Sequence, residues 1–186
     1  DAGPQRNTPS ARVLNLCFSG KPVMRVVICQ EQRLYAMDTR ALRRLTQDFA
    51  ERARTPAEPP WQEVTVHLLD DAGITSVNRA VMGHDGPTDV ITQRYTPIPG
   101  EPGGLIGELF INVERAHQAA PRRAGWSADR ELALYLAHGC DHLAGADDAM
   151  PRERARMRRR ELAWLRLATL ERLFLPDGKR RSCLIG

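Results

Sequence analysis

A chain of 186 residues is long enough to bury one sizeable core and has the usual size of a single domain. Its 42% hydrophobic and 27% charged content is that of a soluble globular protein, and no apolar run reaches the length of a membrane span. The net charge of +4, carried almost wholly by arginine because Lys21 and Lys179 are the only lysines, admits a polyanionic partner without requiring one.

Residues 1–22 are rich in Pro, Gly, Ser and Asn, show no sustained period and read as a flexible lead-in. The apolar stretch from Val13 to Phe18 is too short and uneven for a secretory signal. From Val23 to Cys29 a β-branched apolar run predicts a first strand. Thr39 then caps a helix in which Leu42, Leu45 and Phe49 recur at helical spacing, and Pro56, Pro59 and Pro60 close it with a loop. Alternation over 63–69 predicts a second strand with Val64, Val66 and Leu68 on one face. The next helix is capped by Asp70 or Asp71, buries Ile74, Val77 and Val81, and stops at Gly83.

Thr88 to Tyr95 reads as a third strand, residues 97–104 as a Pro/Gly loop, and LIGELFIN over 105–112 as a fourth strand. Helix follows again, with Ser127 capping a stretch through Leu132, Leu136 and His142 and with Asp129 and Glu131 in its first turn, where carboxylates suit the dipole. Pro151 opens the last helix, with Met157, Leu162, Leu165 and Leu170 inside. There is no internal repeat. One domain over 23–178 with a tail over 179–186 is the expected organisation. Cys17, Cys29, Cys140 and Cys183 are scattered with no C-x-x-C pair, which argues against a disulfide framework or a thiolate zinc site and fits a reducing cytoplasm.

His138 and His142 are the residues that carry chemistry. Four residues apart on a helix, they stack on one face about a turn apart and can share a metal ion. Gly145 breaks that helix three residues on, so the chain can curl back and offer Asp147 or Asp148 as a third ligand. Three protein ligands leave a position open, the pattern of a catalytic rather than a structural site, with zinc the preferred ion. Position 139 is glycine where an H-E-x-x-H peptidase needs its general-base Glu, which disfavours proteolysis. Cys140 reads as core packing, His84 as a residue of the cleft mouth, Asp89 as the polar start of strand three, and His67 and His117 as strand-face and helix-surface residues. The run RERARMRRR from Arg152 to Arg160 reads as a solvated helix face that could also meet phosphates.

HGCDHLAGADD, residues 138–148, resembles the H-G-x-x-H-L-x-G-x-D-H signature of the bacterial rRNA-maturation endoribonucleases known as YbeY. NRAVMGHDGPTDVIT from Asn78 to Thr92 is similar to that family's P-T-D-V-L-S-F segment, and GELFIN from Gly107 to its G-D-I-x-I strand. Order and spacing agree, and the resemblance covers about residues 23–175.

The resemblance implies an α+β domain, zinc bound by three histidines, and single-strand RNA cleavage serving ribosomal RNA processing and ribosome quality control. With the elements above, the expected fold is a single α+β domain whose small mixed four-stranded sheet packs with helices and whose metal site lies at the end of a central helix. The chain departs from the family where Asp148 stands in place of the third histidine, Met82 in place of an arginine linked to activity in some members, and Gln93 in place of an aromatic.

The family register selects Asp148 over Asp147, so one divalent ion, zinc by preference, is expected on His138, His142 and Asp148. Carboxylate oxygen is an accepted zinc ligand, and its harder character tilts the site toward Mn²⁺ or Mg²⁺ relative to an all-histidine set. With Met82 unable to serve, Arg79, three residues earlier on nearly the same helix face, is the candidate to steady phosphoryl charge beside His138. The implied partner is ribosomal RNA or the small ribosomal subunit, with no membrane and no small-molecule cofactor. The alternative is a ribosome assembly factor that binds RNA and has lost catalytic strength.

Overall fold

The computed structural model describes residues 24–95, 103–119 and 125–176. The expected lead-in, the 97–104 loop up to residue 102 and the C-terminal tail lie outside the described residues. The elements run β1 (Arg25–Gln30), α1 (Thr39–Ala53), β2 (Trp61–Leu69), α2 (Asp71–Met82), β3 (Val90–Tyr95), β4 (Leu105–Asn112), α3 (Val113–Ala119), α4 (Ala128–Leu143) and α5 (Pro151–Leu167). The sheet order is β1-β2-β4-β3; β1, β2 and β4 are parallel and β3 runs antiparallel along β4 at one edge. This is the single-domain α+β fold with a mixed four-stranded sheet that the sequence predicted.

Alternation decides which face is buried. Val64, Val66 and Leu68 of β2 and Leu105, Leu109 and Ile111 of β4 point to one side and are almost wholly buried, together with Leu42, Phe49 and Leu136 of the helices above them. α4 is apolar nearly all round, with Leu132, Ala133, Leu136, Ala137 and Cys140 fully buried, which suits a central helix wrapped by α1, α3 and α5. Close approach to the sheet depends on two glycines. A Cβ on Gly107 would lie 2.8 Å from Leu143 Cδ1, and one on Gly139 2.8 Å from Leu109 Cδ2. The glycine that separates the two histidines in sequence therefore lets the histidine-bearing turn lie down on β4.

Several local expectations shift. Asp38, not Thr39, caps α1, because its carboxylate accepts from both Arg40 and Ala41 N–H at 3.0 Å. Asp70 is the cap of α2, accepting from Gly73 N–H, and Gly83 ends that helix at φ 68° as expected. Val81 is 40% exposed and Asn78 is buried in its place. The reason is that α2 covers only one end of the sheet's second face, through Ile74 and Val77 against Leu69, Ile91 and Phe110. β3 begins at Val90 rather than Thr88, since Thr88 and Asp89 are engaged in a turn of side-chain hydrogen bonds. α5 ends at Leu167, which leaves Leu170 outside it and 36% exposed. No helix among the described residues is long and apolar enough to cross a membrane.

Candidate metal centre

His138 and His142 lie on the last turn and a half of α4, above the β3 edge. The end of that helix is a Schellman motif: Gly145, at φ 87°, donates to His142 C=O, and Ala146 N–H reaches back to Asp141 C=O. Only glycine takes that φ without strain. The bend also turns Ala146 C=O onto His142, whose Nδ1 donates to it at 2.9 Å. Arg94 of β3 donates to Leu143 C=O at 3.1 Å and fixes the helix end to the strand.

His138 is oriented from the other side. Its Nδ1 donates to Glu161 Oε1 at 2.8 Å, and the Glu161 side chain, brought in by α5, is only 2% exposed. Burial by itself would lower the His138 pKa, but the hydrogen bond to Glu161 and that carboxylate's charge outweigh it and hold the imidazole above its ordinary value, with Asp89 and Asp148 adding to the effect.

Both Nδ1 protons are thus committed to acceptors, which leaves two Nε2 lone pairs facing each other 3.2 Å apart. Bare nitrogens at that distance repel; a shared proton or a metal ion removes the repulsion. Two nitrogens about 2.0–2.1 Å from a tetrahedral zinc stand about 3.3 Å apart, so the pair already has the spacing the ion needs.

Asp148 completes the set. Its Oδ1 is 3.9 Å from His142 Nε2, and ligand atoms of His138, His142 and Asp148 all lie within 4.8 Å of one another. Asp147 instead turns its carboxylate to its own backbone, accepting from Ala149 N–H at 3.0 Å. The histidines open onto a cleft of about 370 Å³ walled by Asn78 and Met82 of α2, His84 and Thr88 of the connecting loop, and Thr92 of β3. His84 stands in that wall, as the sequence suggested. Arg79 does not. It lies exposed on α2, paired with Asp85 at 2.5 Å. Asp89 caps the start of β3, Cys140 is in the core, and His117 stacks on Tyr35.

Glu161 is the functional residue that sequence reasoning missed. Placed directly after the arginine run of α5 and buried, it shares a helix face with Met157 and Leu165, four residues to either side. A charged residue on an apolar stripe was the available signal. A carboxylate on a ligand's far nitrogen fixes the tautomer and raises ligand basicity. Glu161→Gln is therefore expected to weaken zinc binding by about 10–100-fold while leaving the fold intact. Isothermal titration of the metal-stripped variant checks it.

The sequence profile of the family described as Endoribonuclease YbeY matches residues 27–168. The chain belongs to the YbeY family. Among its relatives, an Endoribonuclease YbeY of Rhodopirellula baltica is 41% identical over 109 residues, covering 58% of this chain and 55% of that one. One from Pelotomaculum thermopropionicum is 34% identical over 145 residues, covering 74% of this chain and 93% of that one. This YbeY-family chain thus spans little more than half the length of the first relative and nearly all of the second. A protein of Thermotoga maritima, TM1509, whose structure was determined in solution, aligns over 84% of this chain and 99% of its own with 20% identity and a TM-score of 0.48.

Proposed function

We propose that this chain is a metal-dependent endoribonuclease that cleaves single-stranded RNA, with one zinc-class ion held by His138, His142 and Asp148. Its biological substrate is ribosomal RNA, free or in the small ribosomal subunit, cleaved in the cytoplasm during rRNA maturation and ribosome quality control. The observation that carries the reading is the pair of Nε2 atoms 3.2 Å apart with both Nδ1 protons already spoken for. The relatives' names supply the reaction class.

A zinc-class ion there would polarise a phosphoryl oxygen and make a nucleophile of water at neutral pH. The chain's own part is positional. His138 and His142 hold their tautomers through Glu161 and Ala146, Asp148 supplies the anionic donor, and Thr88 and Thr92 offer hydroxyls along the cleft wall. Arg79 is the proposed cation for the phosphoryl charge. It must leave Asp85 to act, and an exposed pair of that kind is worth only about 0–1 kcal/mol, so the exchange is inexpensive. Arg79→Ala is expected to slow cleavage about tenfold or more without changing metal content, in line with about 1.5–3 kcal/mol for a charged hydrogen bond. Unchanged cleavage removes Arg79 from the mechanism.

The reading as a whole is tested by metal analysis of the wild-type chain beside Asp148→Ala and Asp147→Ala, coupled to cleavage of ribosomal RNA. Wild type and Asp147→Ala are expected to hold the ion and cleave, and Asp148→Ala to lose both. Metal lost only from Asp147→Ala overturns the ligand set. RNA bound by the metal-loaded wild type without cleavage favours an assembly factor over a nuclease.

A further inference from the structure

The second face of the sheet, beyond the end that α2 covers, carries another group of donor atoms. Cys29 of β1 and His67 of β2 are partners in the parallel ladder and stand side by side, on the opposite face from buried Val66 and Leu68. Glu31 follows just past the end of β1, where its N–H and that of Gln32 both donate to Leu68 C=O. The His67 ring is held firmly. It stacks on Phe110 with centroids 4.6 Å apart and planes 13° apart, and its Nδ1 is 2.6 Å from Glu31 Oε1.

With Nδ1 occupied, Nε2 is left shielded from solvent and without a hydrogen-bond partner, 3.9 Å from Glu108 Oε1. Neither Glu31 nor Glu108 is paired with an arginine among the described residues. Burial raises the Cys29 thiol pKa, and the charges of Glu31 and Glu108 raise it further. A shielded ring nitrogen, a thiol and two carboxylates, of which Glu108 also accepts from the Tyr95 hydroxyl at 2.8 Å, gather negative potential on this face with no arginine paired to either carboxylate among the described residues.

We propose that Cys29, Glu31 and His67 form a second metal site, for a zinc-class divalent ion, on the sheet face opposite α4. One ligand atom from each of the three lies within 4.8 Å of the others. Sulfur, nitrogen and oxygen at one point select zinc or its neighbours over Mg²⁺ or Ca²⁺, and binding displaces the thiol proton. The scattered cysteines gave no hint of it, because Cys29 meets His67 only through strand pairing. The site stands independently of the nuclease reading.

Cobalt(II) is the probe, titrated into the full metal-stripped chain. Wild type should take two equivalents, and the His138→Ala/His142→Ala double variant one, with a near-ultraviolet sulfur-to-cobalt charge-transfer band. Adding Cys29→Ser, or separately His67→Gln, to that double variant should abolish both the equivalent and the band. In the unsubstituted chain, Zn²⁺ should protect Cys29 from alkylation, read by peptide mass. A double variant that binds no cobalt, a band that survives Cys29→Ser, or Cys29 alkylated at the same rate with and without Zn²⁺ overturns the proposal.

Discussion

His138→Ala is expected to strip the metal and abolish cleavage, with the helical circular dichroism of the chain unchanged. Partners that only orient a metal-bound histidine are worth about 10–100-fold in affinity or activity, so removing the ligand itself should cost more than about 100-fold in each. The fold tolerates the change because the His138 side chain is 27% exposed and faces a cleft, whereas the apolar packing of α4 comes from Leu132, Leu136 and Cys140. One structural cost is foreseen. Glu161 Oε1 loses its hydrogen bond while the side chain remains 2% exposed and keeps only Arg158, 3.9 Å from Oε2, and a buried acceptor left unsatisfied costs about 1–3 kcal/mol. His138→Gln separates the two effects, since its amide can still donate to Glu161 but is a poor zinc ligand. A Gln variant as stable as wild type yet without metal and without cleavage is the expected result; cleavage retained without metal would sink the mechanism.

The parts of this centre that were legible in the sequence are the local ones. Two histidines a turn apart, a glycine that must bend the chain and an aspartate just after it are fixed by helix geometry and by the φ that only glycine adopts freely. The strands over 63–69 and 105–112 were legible because one buried face imposes strict alternation. What was not legible depends on residues distant in the chain. The order β1-β2-β4-β3 is set by pairing between strands, and nothing in the period of β1 or β3 names a neighbour. Val81 was misplaced because the width of a buried stripe depends on how much sheet lies beneath the helix, and α2 has only one end of it. Glu161 was hidden by the arginines around it, since its importance comes from His138, 23 residues earlier in sequence.

Arg160→Ala is expected to be among the most destabilising substitutions in the described chain, because it exposes a dependence that α4 and α5 share. Arg160 and Glu161 are consecutive on α5 and reach Asp141 and His138 on α4, so one stretch of backbone serves both contacts. The guanidinium grips Asp141 as a fork, Nη2 at 2.5 Å and Nε at 3.0 Å, while the Asp141 side chain is 2% exposed. The Arg160 side chain is 36% exposed, so its removal costs less than the about 3–5 kcal/mol of a fully buried pair, but it still leaves the buried Asp141 charge in a poor solvent. Burial pushes the Asp141 pKa up, and this outweighs the opposing pull of Arg160; without Arg160 it rises further. A folded-state pKa above the unfolded value means that the folded state holds the extra proton, so stability falls as pH rises through that interval and is regained as pH falls. The deficit of the variant should therefore be largest near neutral pH and shrink toward the ordinary carboxylate range. Urea unfolding of wild type and variant at pH 7 and pH 5 reads it directly. A variant as stable as wild type at both pH values would show that Asp141 finds another partner, and that the α4–α5 contact rests instead on Met157, Trp164 and Leu165.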